Sequence, residues 1–220
     1  MEPTLKFFSG FAPNDLWFMG EAALRTLWIS VLSISLGTVL GTLFGWVLYE
    51  GRRAATLTLA PVLDVFRSVP LIIQLVLFYN FAPIVGLNLD PFASGTVILT
   101  VYTAALVANV ARGGIEAVGA PMRRAARSLG MSYCQDLRHV VLPIGGRAVF
   151  PSWVGVALGV MKDSALVSVL GYVELLKASQ ILITRTQEPF LILALAGAFY
   201  FALSYPVSRY ATHLENRWAQ

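Results

Sequence analysis

The chain has 220 residues, 57% hydrophobic and 13% charged, with a formal net charge of +4 and a mean hydropathy of +0.70. Soluble globular proteins carry about 25% charged residues, and half that fraction cannot dress a water-facing surface. The composition excludes a disordered chain, a disulfide scaffold and an ordinary soluble enzyme, and points to a polytopic membrane protein.

In chain order, residues 1–20 read as an extracytoplasmic or interfacial segment. Phe7, Phe8, Phe11, Trp17 and Phe18 favour the headgroup layer, with Gly10 and Pro13 interrupting them. There is no basic start followed by an apolar core and a small-residue cleavage site, so no cleavable signal peptide is expected. Asn14 or Asp15 is a candidate helix cap. A transmembrane domain then occupies 21–217, all-α, with spans expected at 27–48, 70–85, 96–115, 149–170 and 190–210. The second is interrupted by Asn80 and Pro83. Pro151 and Pro206 are tolerable inside spans where neighbouring helices satisfy the freed carbonyls. Ser33, Gly37, Gly41 and Gly45 recur every four residues in span one, a small-residue stripe for close helix packing. At roughly 20 residues per span, five spans leave only short loops and no room for a separate soluble catalytic domain.

Five spans put the termini on opposite sides, and the basic residues choose between them. With the C-terminus inside, the cytoplasmic side holds Arg52, Arg53, Arg67, Arg112, Arg123, Arg124, Arg127, Arg138, Arg147, Arg209 and Arg217. The outer side holds Lys6, Arg25, Lys177 and Arg185. The bias predicts the N-terminus outside and the C-terminus inside.

The segment 116–143 is too polar to span and too patterned for a linker. Pro121 suits a helix start. Met122, Ala125, Ala126 and Leu129 share one helical face, with Arg123, Arg124 and Arg127 on the other sides. Gly130 can end that helix in a left-handed conformation. Ser132 and Gln135 form a capping-box pair for a second helix, which carries Leu137, Val140 and Val141 and is expected to stop at Pro143. The pattern predicts a compact helix–glycine–helix with a flat alanine-rich face and a basic rim. It suits a docking surface for a partner, or an interfacial hairpin on anionic lipid.

Other features carry less. No Gly-Lys dipeptide occurs, so the chain has no P-loop, and H-E-x-x-H and G-x-S-x-G are absent. His139, His213 and the single cysteine, Cys134, lack metal-ligand spacing, so no metal site is expected. The basic residues follow the positive-inside pattern, not a nucleic-acid face. Glu174, Lys177 and Gln180, in the loop after span four, suit contact with a delivering protein or plain solvation.

Several motifs together resemble a known family. Arg124-Ala125-Ala126-Arg127-Ser128-Leu129-Gly130-Met131-Ser132, followed by Val140-Val141-Leu142-Pro143, resembles the EAA loop of ABC importer permeases. Thr26-Leu27, Phe66-Arg67-Ser68-Val69-Pro70-Leu71-Ile72-Ile73-Gln74-Leu75, Arg112-Gly113-Gly114-Ile115, Lys162-Asp163-Ser164-Ala165-Leu166-Val167-Ser168-Val169 and Glu174-Leu175 resemble the polar amino-acid branch. The resemblance covers about residues 20–217.

It implies a type I permease subunit in a bacterial inner membrane. Two such subunits, identical or similar, would form the path. Two separate ATPases, holding ATP and Mg, would power it, and an extracytoplasmic binding protein would deliver a polar amino acid. This chain would hold no cofactor and do no covalent chemistry. Arg123, Arg124, Ala125, Ala126, Arg127 and Gly130 would couple to the ATPase. The chain departs from the pattern at Arg124, where a glutamate is usual, and at Pro121-Met122, Asn109, Ile144 and Gly155.

Lys162 and Asp163 lie within span four, where a charge costs about 2.5–3.5 kcal/mol at the helix centre on insertion scales. Neighbours on a helix point about 100° apart, so they do not simply pair with each other. They suit a substrate path, with Ser164 and Arg67, or a fixed pairing, for example with Arg67. An ion-gradient-driven secondary transporter is the alternative function. It explains the spans and Asp163, but not the patterned loop.

Overall fold

The computed structural model describes residues 10–51 and 53–218, with 53–55 as backbone alone. The expectations for Lys6, Phe7, Phe8, Arg52 and the Arg53 side chain lie outside the described residues. Those described form nine α-helices joined by short turns, and no strand.

Helix α1 spans Pro13–Glu50, and its N-cap is Ala12, not Asn14 or Asp15. Proline lacks an N–H and has a fixed φ, so it suits the first helical position and sets the start earlier. Asp15, one turn in, accepts the Ala12 N–H at 2.8 Å and pairs with Arg185.

Helix α3 (Leu71–Phe81) falls within the expected second span, 70–85, and a further helix, α2 (Arg53–Ser68), precedes it. A 3₁₀ turn at Ala82–Val85 extends α3. The segments Thr56–Ser68 and Leu71–Val85 meet at 105°. Pro70 ends α2 because it cannot donate and holds its predecessor out of the helical region. Gln74 repairs the break. Its Nε2 donates to the Phe66 carbonyl at 2.8 Å and the Val69 carbonyl at 2.7 Å. The bent pair is thus the candidate for the fifth crossing, beside four long apolar helices.

Asp90 caps α4 (Pro91–Ala117), accepting the Ala93 N–H at 2.9 Å. Short helices α5 (Ala120–Ser128) and α6 (Tyr133–Asp136) follow. A π turn at Leu137–Val141 then leads into α7 (Leu142–Asp163) without a stop. The expected stop at Pro143 does not occur. The wide turn just before it accommodates the missing donor and the ring, which would clash in a regular helix. A 3₁₀ turn at Ser164–Leu170 ends this rod at Gly171, whose φ of +94° takes the left-handed turn. Helices α8 (Leu175–Thr186) and α9 (Pro189–Trp218) complete the chain.

Helices α1 and α4 pack along the expected stripe. Ser33, Gly37, Gly41 and Gly45 are all buried. A Cβ added at Gly41 would stand 2.6 Å from Val107 Cβ and 2.7 Å from the Ala104 carbonyl oxygen. At Gly45 it would stand 2.5 Å from the Ala108 carbonyl oxygen. The α1 glycines leave room into which Thr103, Val107 and Ala111 of α4 pack, the close approach that helices in lipid require when no hydrophobic force draws them together. Ile29, Leu71, Leu75, Ile98, Leu99, Val160, Val167 and Leu170 form the main core around this seam.

Gly41→Ala overpacks the seam and is expected to cost about 1–3 kcal/mol, read as a lower melting temperature of the detergent-purified protein. Gly197→Ala meets nothing within 4 Å and should leave the melting temperature unchanged.

Candidate functional site

The loop between α4 and α7 is built from local turn chemistry. Gly119 (φ +30°) leads into Pro121, in the first turn of α5. Gly130 (φ +82°) ends it, donating to the Arg127 carbonyl at 3.0 Å, while Met131 N–H reaches the Ala126 carbonyl at 3.2 Å. Ser132 and Gln135 cap reciprocally. Ser132 N–H donates to Gln135 Oε1 at 2.8 Å, and Gln135 N–H to Ser132 Oγ at 3.4 Å. The expected helix–glycine–helix is present.

Its faces differ from expectation. Met122, Ala125 and Leu129 are exposed, Leu129 at 82%. Ala126 turns inward, and so does Arg123, which is only 6% exposed. Both side chains pack against this chain itself. Arg123 is instead a buried clamp. Its Nε donates to Asp136 Oδ2 at 3.0 Å and its Nη1 to Glu50 Oε1 at 2.9 Å. The guanidinium also lies 5.6 Å from the Tyr49 ring centre and 5.9 Å from that of Tyr133. Tyr133 is held in turn by Trp46, whose Nε1 donates to its hydroxyl at 2.8 Å. Burial works against the charge on Arg123, but the hydrogen bonds to Asp136 and Glu50 outweigh it and hold its pKa above the ordinary value. One side chain thus ties α5 to α6 and to the end of α1.

Sequence reasoning placed Arg123 on the basic rim. The missed signal is Asp136, the one acid between Glu116 and Pro143, which had to find a cation once buried.

The proposed path residues do not form one cluster. Arg67 pairs with Asp64, one turn earlier, and not with Asp163. Ser164 is buried and bonded to the Met161 carbonyl at 2.8 Å, and Ser30 Oγ donates to its hydroxyl at 3.1 Å. Lys162 is exposed and Asp163 half-buried at the end of α7. Among the described residues neither makes an ion pair.

At the far end from the loop, Glu174 is neither solvated nor available to a delivering protein, for it is fully buried. It caps α8, accepting the Leu176 and Lys177 N–H groups at 2.8 Å each. Tyr200 O–H donates to it at 3.3 Å and Thr26 O–H at 3.5 Å. Thr26 also accepts the Leu175 N–H at 3.0 Å. Two motif fragments 148 residues apart, Thr26-Leu27 and Glu174-Leu175, therefore meet in one joint. Burial pushes the Glu174 carboxyl above its ordinary value, against the pull of the two backbone N–H groups. Lys177 and Gln180 line a separate shallow pocket.

Among the described residues no three His, Cys, Asp or Glu side chains converge as metal ligands. His139 Nδ1 is bonded to the Gln135 carbonyl at 3.0 Å, and Cys134 is exposed.

Arg123→Ala leaves Asp136 buried without its close guanidinium. Removing one partner of a buried pair costs about 3–5 kcal/mol, so amide exchange over 120–136 should quicken while α4 keeps its protection. Glu174 gives a pH test. Folding takes up a proton between its ordinary value of 4.5 and its raised folded value. Stability therefore falls as pH rises through that window. Glu174→Gln should flatten this slope in melting curves across pH.

The family of binding-protein-dependent transport system inner membrane components matches residues 37–220. The chain is 29% identical to the probable glutamine ABC transporter permease protein GlnP of Bacillus subtilis (strain 168), over 97% of this chain and 99% of that protein. It is 33% identical to the probable glutamine ABC transporter permease protein GlnM of the same organism, over 70% of this chain and 71% of that one. A crystal structure of an amino acid ABC transporter with histidines superposes with a TM-score of 0.82 at 28% identity, covering 91% of this chain and 94% of that one. The chain has four long apolar helices and a bent pair that is the candidate for a fifth crossing, and it belongs to the binding-protein-dependent transport system inner membrane components, as a multi-pass protein of the bacterial inner membrane.

Proposed function

We propose that this chain is the permease subunit of an ATP-driven importer of polar amino acids, with its N-terminus outside and its C-terminus inside. The observation that carries the reading is the 116–143 loop, pinned to α1 by Arg123 yet leaving Met122, Ala125 and Leu129 open. A loop that is rigid inward and apolar outward is built to receive a push. Relatives named as glutamine permeases and a neighbour titled an amino acid ABC transporter support the substrate class. The family match supports ABC-type transport over the ion-gradient alternative.

In this reading, ATP closes two partner ATPases beneath a pair of permease chains, identical or similar. The two loops move together, and the rigid links carry that motion into α1 and α4, turning the path from inward-open to outward-open. A binding protein then delivers the amino acid, and hydrolysis resets the cycle. The ATP and its magnesium belong to the ATPases, and this chain does no covalent chemistry. Arg124, Ala125, Arg127 and Gly130 carry the coupling, with Arg123 positioning them. Lys162 and Asp163, in no ion pair among the described residues, face the amino acid's charged groups where α7 ends. The domain division is 1–20 and 21–217.

Uptake by the purified complex in proteoliposomes tests this. Uptake should need ATP inside and survive a proton uncoupler. Gly130→Val forces a β-branched residue to φ +82°, where strain costs about 1–2 kcal/mol. Hydrolysis should then continue while uptake falls severalfold. Asp163→Asn should lower uptake and substrate-stimulated hydrolysis together. Full uptake in both variants would contradict the assignment.

A further inference from the structure

A cavity of about 460 Å³ lies where α1, α4 and the start of α7 come together beside the loop, within the range of about 300–1,000 Å³ usual for ligand sites. Glycines hollow it out. At the crossing of α4 and α7, a Cβ added at Gly145 would stand 2.3 Å from the Gly114 carbonyl oxygen, whereas one added at Gly146 would meet nothing within 4 Å. All three glycines line the cavity, and Leu43, Val141 and Leu142 supply apolar wall. Thr42 and Trp46 bring its polar side-chain groups, and both are already bonded within the chain. Thr42 Oγ1 donates to the Thr38 carbonyl at 2.7 Å, and Trp46 Nε1 to the Tyr133 hydroxyl at 2.8 Å. Such a space gives a sugar, a nucleotide or an amino acid little to bond, and an apolar cavity stays dry. It fits a hydrocarbon chain.

Depth and charge narrow the ligand further. Between Arg25 and Glu50, α1 carries no charged residue over 24 positions, about 36 Å, slightly more than the hydrocarbon layer of about 30 Å. Thr42 and Trp46 stand eight and four residues before Glu50, about 12 and 6 Å along the axis. The α1 wall therefore lies in the last part of the hydrocarbon, and Trp46 with Tyr133 marks the headgroup boundary, where such rings gather. Arg138 stands about one turn before Leu142, at the loop end of the cavity. It is exposed and makes no ion pair among the described residues. Two other arginines adjoin lining residues in the chain, and both are engaged. Arg112 pairs with Glu116, and the Arg147 guanidinium lies 6.0 Å from the Trp218 ring centre. An apolar hollow at hydrocarbon depth, with one uncompensated cation at its headgroup end, has the same division as a phospholipid.

We infer that this cavity holds one acyl chain of a phospholipid with an anionic headgroup, and that Arg138 meets that headgroup. A chain seated there fills the space between the loop and the spans, where a void would forfeit the contacts of its lining. Guanidinium groups bind phosphate through a fork of donors, and basic groups at the ends of spans draw anionic headgroups. This site stands whether or not the loop meets an ATPase.

The complete transporter is purified from its native membrane in gentle detergent, delipidated and titrated with dioleoylphosphatidylglycerol or dioleoylphosphatidylcholine. Native mass spectrometry counts the lipids bound per permease chain. The wild type should bind one phosphatidylglycerol per chain, and phosphatidylcholine about fivefold more weakly, the worth of one arginine near an anionic headgroup. Arg138→Gln should erase that difference. Gly146→Phe puts a ring into the cavity and should abolish the tight site. Gly113→Phe, whose Cβ also meets nothing within 4 Å but which lies off the cavity lining, should keep it. After titration, a photoreactive group at Leu142 should join phosphatidylglycerol. The same group at Leu36, exposed on α1 and off the cavity lining, should not. Binding by Gly146→Phe equal to wild type, or equal lipid adducts at Leu142 and Leu36, would overturn the site. Equal affinity of the wild type for the two lipids would overturn the role of Arg138. A Leu142 adduct with a second permease chain in place of lipid would also overturn the site, assigning the cavity to an interface between chains. Should Gly146→Phe not assemble, the paired adducts decide.

Discussion

The close approach of α4 to the glycine face of α1 is the constraint on which the rest depends. In hydrocarbon, helices gain nothing by hiding apolar surface from water, so they must associate through shape. Gly37, Gly41 and Gly45 provide that shape, because any Cβ there would run into Thr103, Val107 or the α4 carbonyls. The pair becomes one stiff element. Helices α7 and α3 then complete the core around its seam, through Ile29, Leu99, Leu75 and Val160. At one end of this element, Thr26 joins Glu174 and the start of α8. At the other, Glu50 holds Arg123 and thereby the loop.

These joints share a design. Each uses a buried polar group where a sequence reading expects a solvated one. A buried charge is tolerated only with hydrogen-bonded partners. Arg123 meets that condition with two carboxylates and two aromatic rings, and Glu174 with two backbone N–H groups and two hydroxyls. Such sites have defined geometry, which a flexible surface pair lacks. In the proposed function, a push on the loop would pass through these directional bonds rather than be absorbed by a hinge.

The parts legible in the sequence were those written in local chemistry. The small-residue stripe, the Gly130 turn, the Ser132–Gln135 caps and four long apolar helices all follow from period and turn preference. Those that were not legible depend on partners distant in the chain. Nothing near Arg123 announces that Glu50, 73 positions away, will bury it. The bend at Pro70 was foreshadowed by the proline, but the repair by Gln74 needed three dimensions. Pro143 misled because the wide turn ahead of it removes the clash that would have ended a regular helix. Lys162 and Asp163 stay informative for the opposite reason. Their cost in a span is plain from sequence, and no internal ion pair accounts for it among the described residues.

The central claim is that the 116–143 loop joins this chain to an ATPase. The most direct measurement is purification of the chain from its native membrane in gentle detergent, with mass spectrometry of the intact assembly. The account predicts an ATPase in equal number to the permease chains, cross-linked through α5 when a photoreactive group replaces Leu129. An assembly without ATPase, in a preparation that preserves other transporters of this kind, would contradict it.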